Sequence, residues 1–195
     1  MLLIQGVDLI AFLKKLGQSL NDVVTPGDLV FPYIRDNVDQ ILTVEDDDLI
    51  GAFLDMMENH KMIVENSGLL TVAALKQLDI RGKKVVSILS GGNIDVITIA
   101  SVVQNGLIQR DRIFTVSVLL PDKPGQLQKV AGIIAELQGN VVKLEHNQFV
   151  NVNRSNAVEL RITLEAFGTD HKNRILKTLE EEGYRPVLKG TKQIY

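Results

Sequence analysis

Apolar positions change their period along this chain, and the changes divide it. In Lys83–Asp95, KKVVSILSGGNID, residues Val85, Val86, Ile88 and Leu89 form a short apolar run. Such a run predicts a strand buried on both faces. Ser90-Gly91-Gly92-Asn93 interrupts it, and Ile94, Ile97 and Val102 resume at helical spacing. Two flanking segments are apolar nearly all round: Leu69, Leu70, Val72, Ala73, Ala74, Leu75 and Leu78 before the run, and Ile94, Val96, Ile97, Ile99, Ala100, Val102 and Val103 after it. Helices of that kind must be buried, so the pattern predicts a sheet covered on both faces.

From Ile113 the period drops to two. Phe114, Val116, Val118 and Leu120 alternate with Thr115, Ser117 and Leu119, a half-exposed strand. Pro121–Gly125 is a loop. Leu127, Val130, Ala131, Ile134 and Leu137 make a helical stripe stopped by Gly139-Asn140. Val142, Leu144 and His146 alternate on a second strand, Asn147–Asn156 is a polar hairpin loop, and Val158, Leu160, Ile162, Leu164 and Ala166 alternate on a third. Thr169 or Asp170 caps a last helix carrying Ile175, Leu176 and Leu179, closed by Gly183 before a short strand, Tyr184–Lys189. This order, β-α-β-β-α-β, is a ferredoxin-like unit. The change of period places a boundary near Arg110–Arg112.

Upstream, Leu9, Ile10, Phe12, Leu13 and Leu16 fit one face of a short helix, and Thr25–Asp28 is a turn. Pro32 suits the first turn of a helix. Val38–Val44 reads as a strand. Thr43 and Asp46 have capping-box spacing ahead of a helix through Leu49, Ile50, Phe53, Leu54 and Met57. Glu45–Asp48 suit that helix's N-terminus and lack the glycine spacing of a calcium loop. The Met56–Met57 pair is core filler. Asn66 or Ser67 is the expected N-cap of the next helix.

Composition removes several functions. Of 195 residues, 21 are basic and 24 acidic, for a net charge of −3. That balance gives no electrostatic reason to expect nucleic acid or an anionic membrane as partner. The strands also lack the aromatic pair of an RNA-recognition sheet. With no cysteine there is no disulfide, thiolate metal site or thiol nucleophile, and His60, His146 and His171 have no ligand spacing. The apolar N-terminal stretch lacks a signal peptide's basic start, and Ile94–Val103 is too short to span a bilayer, so a cytoplasmic location is expected.

A strand, glycine turn and helix can present backbone N–H groups and one hydroxyl to a ligand, although a tight turn is the plainer reading of SGGN alone. Its neighbours add to it. The motifs TPGDLVFPYIRDNVDQILTV, DDLIGAF, VENSGLLTVAAL, VVSILSGGNID and VSVLLPDKPGQLQKVAGIIAELQGNVV occur in order. Together they resemble the C-terminal part of threonine ammonia-lyase (threonine dehydratase), in the form with one ACT domain. Serine racemase and serine dehydratases share the catalytic motifs.

The resemblance implies an α/β chain: a non-family segment at 1–24, a C-terminal remnant of a fold-type II (tryptophan synthase β-like) pyridoxal-phosphate domain at 25–111, and a ferredoxin-like ACT regulatory domain at 112–195. It implies that Ser90 meets the pyridine nitrogen of the cofactor, that Gly91, Gly92 and Asn93 present it, and that Glu65 lies near the ring. For the ACT domain it implies an effector site formed by Asp122, Pro124, Gly125, Gln126 and Leu127 with Asn140 and Val141, taking an amino acid such as isoleucine or valine. The family's Schiff-base lysine motif and its phosphate-cradling glycine loop match nothing in the sequence. A truncated enzyme of isoleucine biosynthesis, inactive alone, not retaining the cofactor, allosterically regulated and homo-oligomeric through its ACT domains and exposed remnant, is therefore expected. A stand-alone amino-acid-binding module is the alternative.

Overall fold

A computed structural model describes residues 29, 31–37, 40, 42–147 and 157–191. The chain divides into two units, Met1–Val103 and Gln104–Tyr195. The expected Leu9–Leu16 helix, the Thr25–Asp28 turn and most of the Asn147–Asn156 loop lie outside the described residues.

The first unit is helical where it is described. Helix α1 spans Phe31–Asn37, with Pro32 in its first turn, where a missing N–H removes no intrahelical bond. Helix α2, Asp46–Asp55, carries Asp46, Asp47 and Asp48 in its first turn, beside the positive end of the helix dipole. Its N-cap is Glu45, and no side chain caps it. The Thr43–Asp46 capping box does not form, because Thr43 stands two residues outside the cap. The carbonyl of Thr43 instead accepts the Gln77 amide at 2.8 Å. A π-helical turn, Met56–His60, continues α2 and ends at Lys61 in the left-handed region. Helix α3, Asn66–Ala74, has Glu65 rather than Asn66 or Ser67 as its N-cap. The core joins Leu49, Phe53 and Met56 of the first helical stretch to Leu69, Leu70 and Ala73 of α3, all buried.

The segment at Val85–Leu89 departs from expectation. It runs without helix or ladder, and no strand occurs among the described residues before Ile113. A strand exists through bonds to a neighbour, and no described segment pairs with this one. Leu89 and Ile94 lean on the helical core, while Val86 and Ile88 are 64% and 47% exposed. Among the described residues this unit shows a helical core and no covered sheet. Helix α4, Val96–Gln109, forms as its spacing requires, but Val96 and Ile97 are exposed rather than buried. Leu42–Val44, expected in a strand, are irregular, and 38, 39 and 41 of that segment are outside the described residues.

The second unit follows its predicted order. Strand β1 (Ile113–Pro121), helix α5 (Gln126–Glu136), strands β2 (Asn140–Asn147) and β3 (Ala157–Glu165), helix α6 (Thr169–Glu181) and strand β4 (Val187–Lys189) alternate as βαββαβ. The sheet order is β2-β3-β1-β4, every pair antiparallel. Phe114, Val116, Val118, Leu160, Ile162 and Leu164 bury one face against Val130 and Ile134 of α5 and Ile175 and Leu179 of α6.

β1 is more buried than a half-exposed strand. Thr115 and Ser117 on its other face are buried too, with a cross-strand hydrogen bond between the Thr115 and Thr163 hydroxyls (3.0 Å) and one from Ser117 Oγ to Glu159 (2.5 Å). Strand β2 is a sheet edge and leaves Val141, Val142 and Leu144 exposed. The N-cap of α6 is Gly168, whose φ of 107° a side chain rarely adopts. Thr169, freed from capping, donates to Asp111 at 2.9 Å.

Candidate functional site

The Ser90 turn is held by Glu65, the residue that opens α3. One carboxylate oxygen of Glu65 accepts a short hydrogen bond from Ser67 Oγ, and the other accepts the Asn93 backbone N–H at 3.1 Å. The Glu65 N–H reaches back to the Gly91 carbonyl at 3.5 Å, and the Glu65 carbonyl accepts the N–H groups of Gly68 and Leu69. The structure therefore brings Glu65, Gly91 and Asn93 together.

Gly91 is required twice over. Its φ is +83°, and a Cβ there would stand 2.2 Å from the Glu65 carboxyl carbon. Gly92 has open space, with the Ile63 carbonyl nearest at 4.0 Å. Ser90 itself is exposed at the start of the turn.

One supporting residue escaped the sequence reading. A Cβ on Gly68 would come within 2.2 Å of the Ser90 carbonyl oxygen, so α3 touches the turn only because position 68 lacks a side chain. The signal was a glycine within a helix, where it is unfavourable unless close packing needs it.

A pyridoxal group requires an amine and a phosphate cradle besides a partner for its ring nitrogen. The exposed Ser90 hydroxyl suits the ring nitrogen. The Asn93 N–H is taken by Glu65 and is not offered to a phosphate. Lys61 donates to the Glu58 carbonyl at 2.5 Å, and Lys76 faces Asp48 at 3.8 Å. Lys83 and Lys84 lie at the far end of the run that leads to Ser90. The described residues therefore fit one contact of the cofactor and do not fit the cofactor as a whole. No group of three metal-ligating side chains occurs among the described residues.

In the second unit, the register separates the two halves of the expected effector site. Pro121 of β1 pairs with Ala157, so the loop with Asp122, Pro124, Gly125, Gln126 and Leu127 leaves that end of the sheet. Asn140 pairs with Glu165, which also faces Ile113 at the opposite end. At ~3.3 Å per residue, the length of β1 puts roughly 25 Å between them. Asn140 is tied to β3 by a 3.1 Å bond from its amide to Glu165. Val141 is exposed on the open edge. At the loop, Gly125 sits at φ +87° as the N-cap of α5, and all of Asp122–Leu127 is exposed except half-buried Gln126.

Two carboxylates of this unit are held below their ordinary range. The Lys172 ammonium, 2.6 Å away, lowers Asp111, with a smaller contribution from Thr169. The Ser117 hydroxyl lowers Glu159, helped by the charges of Arg161 and Lys189. His171 is buried, with Nε2 2.7 Å from the Leu137 carbonyl and Nδ1 accepting the Phe167 N–H. It is a structural histidine joining the end of α5 to the start of α6. No helix among the described residues is long and apolar enough to cross a membrane.

An α/β chain with a βαββαβ unit and a glycine turn clamped to a helix start defines the class of architecture; sequence comparison supplies the lineage. No family model matches. Over 169 residues, 86% of the chain, it is 34% identical to the L-threonine ammonia-lyase of Thermotoga maritima, of which it spans 42%. It is 37% identical over 165 residues to the L-threonine ammonia-lyase of Geobacter sulfurreducens, spanning 83% of the chain and 41% of the relative. A biosynthetic L-threonine dehydratase of Pasteurella multocida is 28% identical over 162 residues, 81% of the chain and 30% of the relative. The chain is thus a relative of the threonine ammonia-lyases, matching most of its own length and less than half of theirs.

Proposed function

We propose that this chain is the C-terminal portion of a pyridoxal-phosphate-dependent threonine ammonia-lyase, the enzyme class that converts threonine to 2-oxobutanoate and ammonia. Residues 25–111 belong to its catalytic domain and 112–195 form an ACT domain that senses a small amino acid. The relatives' names and lengths support the lineage. The chain by itself is expected not to turn over threonine, because the family's Schiff-base lysine motif and phosphate-cradling glycine loop match nothing in its sequence and the turn's Asn93 amide is already bound.

The regulatory reading rests on one observation: the register of the sheet. The loop at Asp122–Leu127 and the start of β2 at Asn140–Val141 lie at opposite ends of one sheet, so one copy cannot close both around an amino acid. A two-fold pairing of β2 edges solves this. Antiparallel edges place the start of β2 in one copy at the loop end of its partner, and Val142 and Leu144 lie on that edge. The first-turn N–H groups of α5 then face a carboxylate. Isoleucine or valine is the expected effector, with its side chain against Val141.

The test pairs two assays on the purified chain. Calorimetric titration with isoleucine, valine and threonine is expected to show saturable binding of a branched amino acid. A continuous assay for 2-oxobutanoate is expected to stay at background. Turnover of threonine by the chain alone would refute the catalytic part, and no binding of any amino acid would refute the regulatory part. A stand-alone binding module, the second reading, is favoured if the chain binds the amino acid while its first unit binds no partner.

A further inference from the structure

The corner at Arg110–Arg112, where the change of period placed a boundary, is built as a joint. Segments between domains are ordinarily exposed and loosely held. Here the last turns of α4, Gln104–Gln109, already belong to the second unit. The helix then closes on itself: the Asp111 N–H donates to the Ile108 carbonyl at 3.0 Å, and the Arg112 N–H donates to the Leu107 carbonyl at 2.8 Å. That pair of bonds is the Schellman arrangement, whose pivotal residue is left-handed and usually glycine. Asp111 occupies the pivot at φ +54°. Aspartate tolerates that backbone less well than glycine, so its side chain has to offset what the backbone loses.

The Asp111 side chain is engaged at both oxygens. Oδ1 lies 2.6 Å from Lys172 Nζ, and Oδ2 accepts the Thr169 hydroxyl at 2.9 Å. Both donors stand in the first turn of α6. The ion pair is largely shielded, with the Lys172 and Asp111 side chains 16% and 24% exposed. The ammonium also lies 6.0 Å from the centre of the Phe114 ring of β1. From the sheet side, the Ala166 N–H just past β3 donates to the Arg112 carbonyl at 2.8 Å. The start of α6 is itself tied to the end of α5, since buried His171 meets the Leu137 carbonyl through Nε2 and accepts the Phe167 N–H. A continuous run of bonds therefore joins α5, α6, the end of β3 and the last turns of α4.

We propose that Asp111 is a latch that makes the end of α4 and the start of α6 move as one body. A displacement of α6 is then passed to the last turns of α4 and is not absorbed at Arg110–Arg112. Thr169 and Lys172 are the receiving side of the latch, and this coupling is what an aspartate supplies at a position that suits glycine. The latch lies wholly within the second unit and needs no bound amino acid, so it stands or falls apart from the regulatory reading.

The experiment follows amide exchange and residual dipolar couplings in the full chain, without ligand. In the parent, the Arg112 and Ala166 amides should be protected, and the couplings of residues 104–109 and of α6 should fit one common alignment. Asp111→Gly separates a latch from a simple turn. Glycine suits the left-handed corner better, so a corner that only ends the helix would tighten and exchange there would slow. A latch predicts the reverse: exchange at Arg112 and Ala166 quickens about tenfold or more relative to the Ile162 amide of β3, the reference that removes any general loss of stability. The couplings of 104–109 should then depart from the alignment of α6. Lys172→Met, which keeps most of the apolar stem and deletes the charge, should quicken the same two amides. Unchanged or slower exchange at Arg112 in Asp111→Gly would overturn the proposal. So would a parent in which the Arg112 amide exchanges as freely as that of exposed Asp122, or in which 104–109 and α6 require separate alignments.

Discussion

Replacing Gly91 by alanine tests the clamp around Ser90. The substitution has two costs. Alanine at φ +83° adopts a left-handed backbone, which disfavours it by about 1–2 kcal/mol. Its Cβ would also lie 2.2 Å from the Glu65 carboxyl carbon, so the carboxylate must move. Moving it breaks the 3.1 Å bond from the Asn93 N–H, a charge-assisted contact worth about 1.5–3 kcal/mol. Partial relaxation makes the sum an upper bound, and a loss of about 2–4 kcal/mol is expected. The assay is amide exchange at Asn93 and through α3, where a change of that size accelerates exchange roughly 30-fold or more. Gly92→Ala is the control: its φ is not positive, and nothing lies nearer than 4.0 Å to the added carbon. It should cost less than about 0.5 kcal/mol. Combining Gly91→Ala with Glu65→Ala should recover the part of the loss that comes from the collision, giving a non-additive cycle. Equal exchange rates in Gly91→Ala and Gly92→Ala would refute the reasoning.

Gly68→Ala should destabilise the first unit by about 1–3 kcal/mol in urea unfolding, since the new methyl meets the Ser90 carbonyl and a Val64 methyl. Asp111 and Glu159 are both lowered carboxylates, so their contribution is present above the ordinary Asp and Glu range, about pH 4, and is lost as pH falls through their depressed values. The second unit should accordingly unfold at a lower temperature in acid, and Lys172→Met should remove the larger part of the Asp111 share of that dependence. Leu160→Ala, at a fully buried position, should cost about 2–5 kcal/mol and unfold the second unit at a lower urea concentration. The proposed pairing of β2 edges predicts a dimer in light scattering, which Leu144→Lys on the open edge should convert to a monomer with the fold intact.

What the sequence revealed depended on whether each element's partners lay within the described chain. The alternation at Phe114–Leu120 and Val158–Ala166 predicted strands that formed, because each finds a neighbour in the same unit. The same kind of reading failed at Val85–Leu89. Its composition records burial on both faces, but no described neighbour supplies a ladder. Helix α4 shows the same effect: its spacing made a helix, yet Val96 and Ile97 remain exposed. The caps fall at Glu65 and Gly168, one or two residues before the polar residues expected there; of those, Ser67 is bonded to Glu65 and Thr169 to Asp111.

At the candidate site, Glu65 and the glycine turn were singled out separately through the family resemblance, and the bond between Glu65 and the Asn93 N–H is seen only in the structure. The contact of Gly68 with Ser90 was not, since it needs the geometry of α3. The separation of Asp122–Leu127 from Asn140–Val141 also could not be read from spacing, because strand order and register decide it.

The most direct test of the regulatory proposal is a titration of isotope-labelled chain with isoleucine, following the amides of Gly125–Leu127 and of Asn140–Val141 in one experiment. Both groups should move along a single saturating curve, although roughly 25 Å of strand separates them within one copy. If neither group moves, or if only one responds, the shared site between two copies is contradicted.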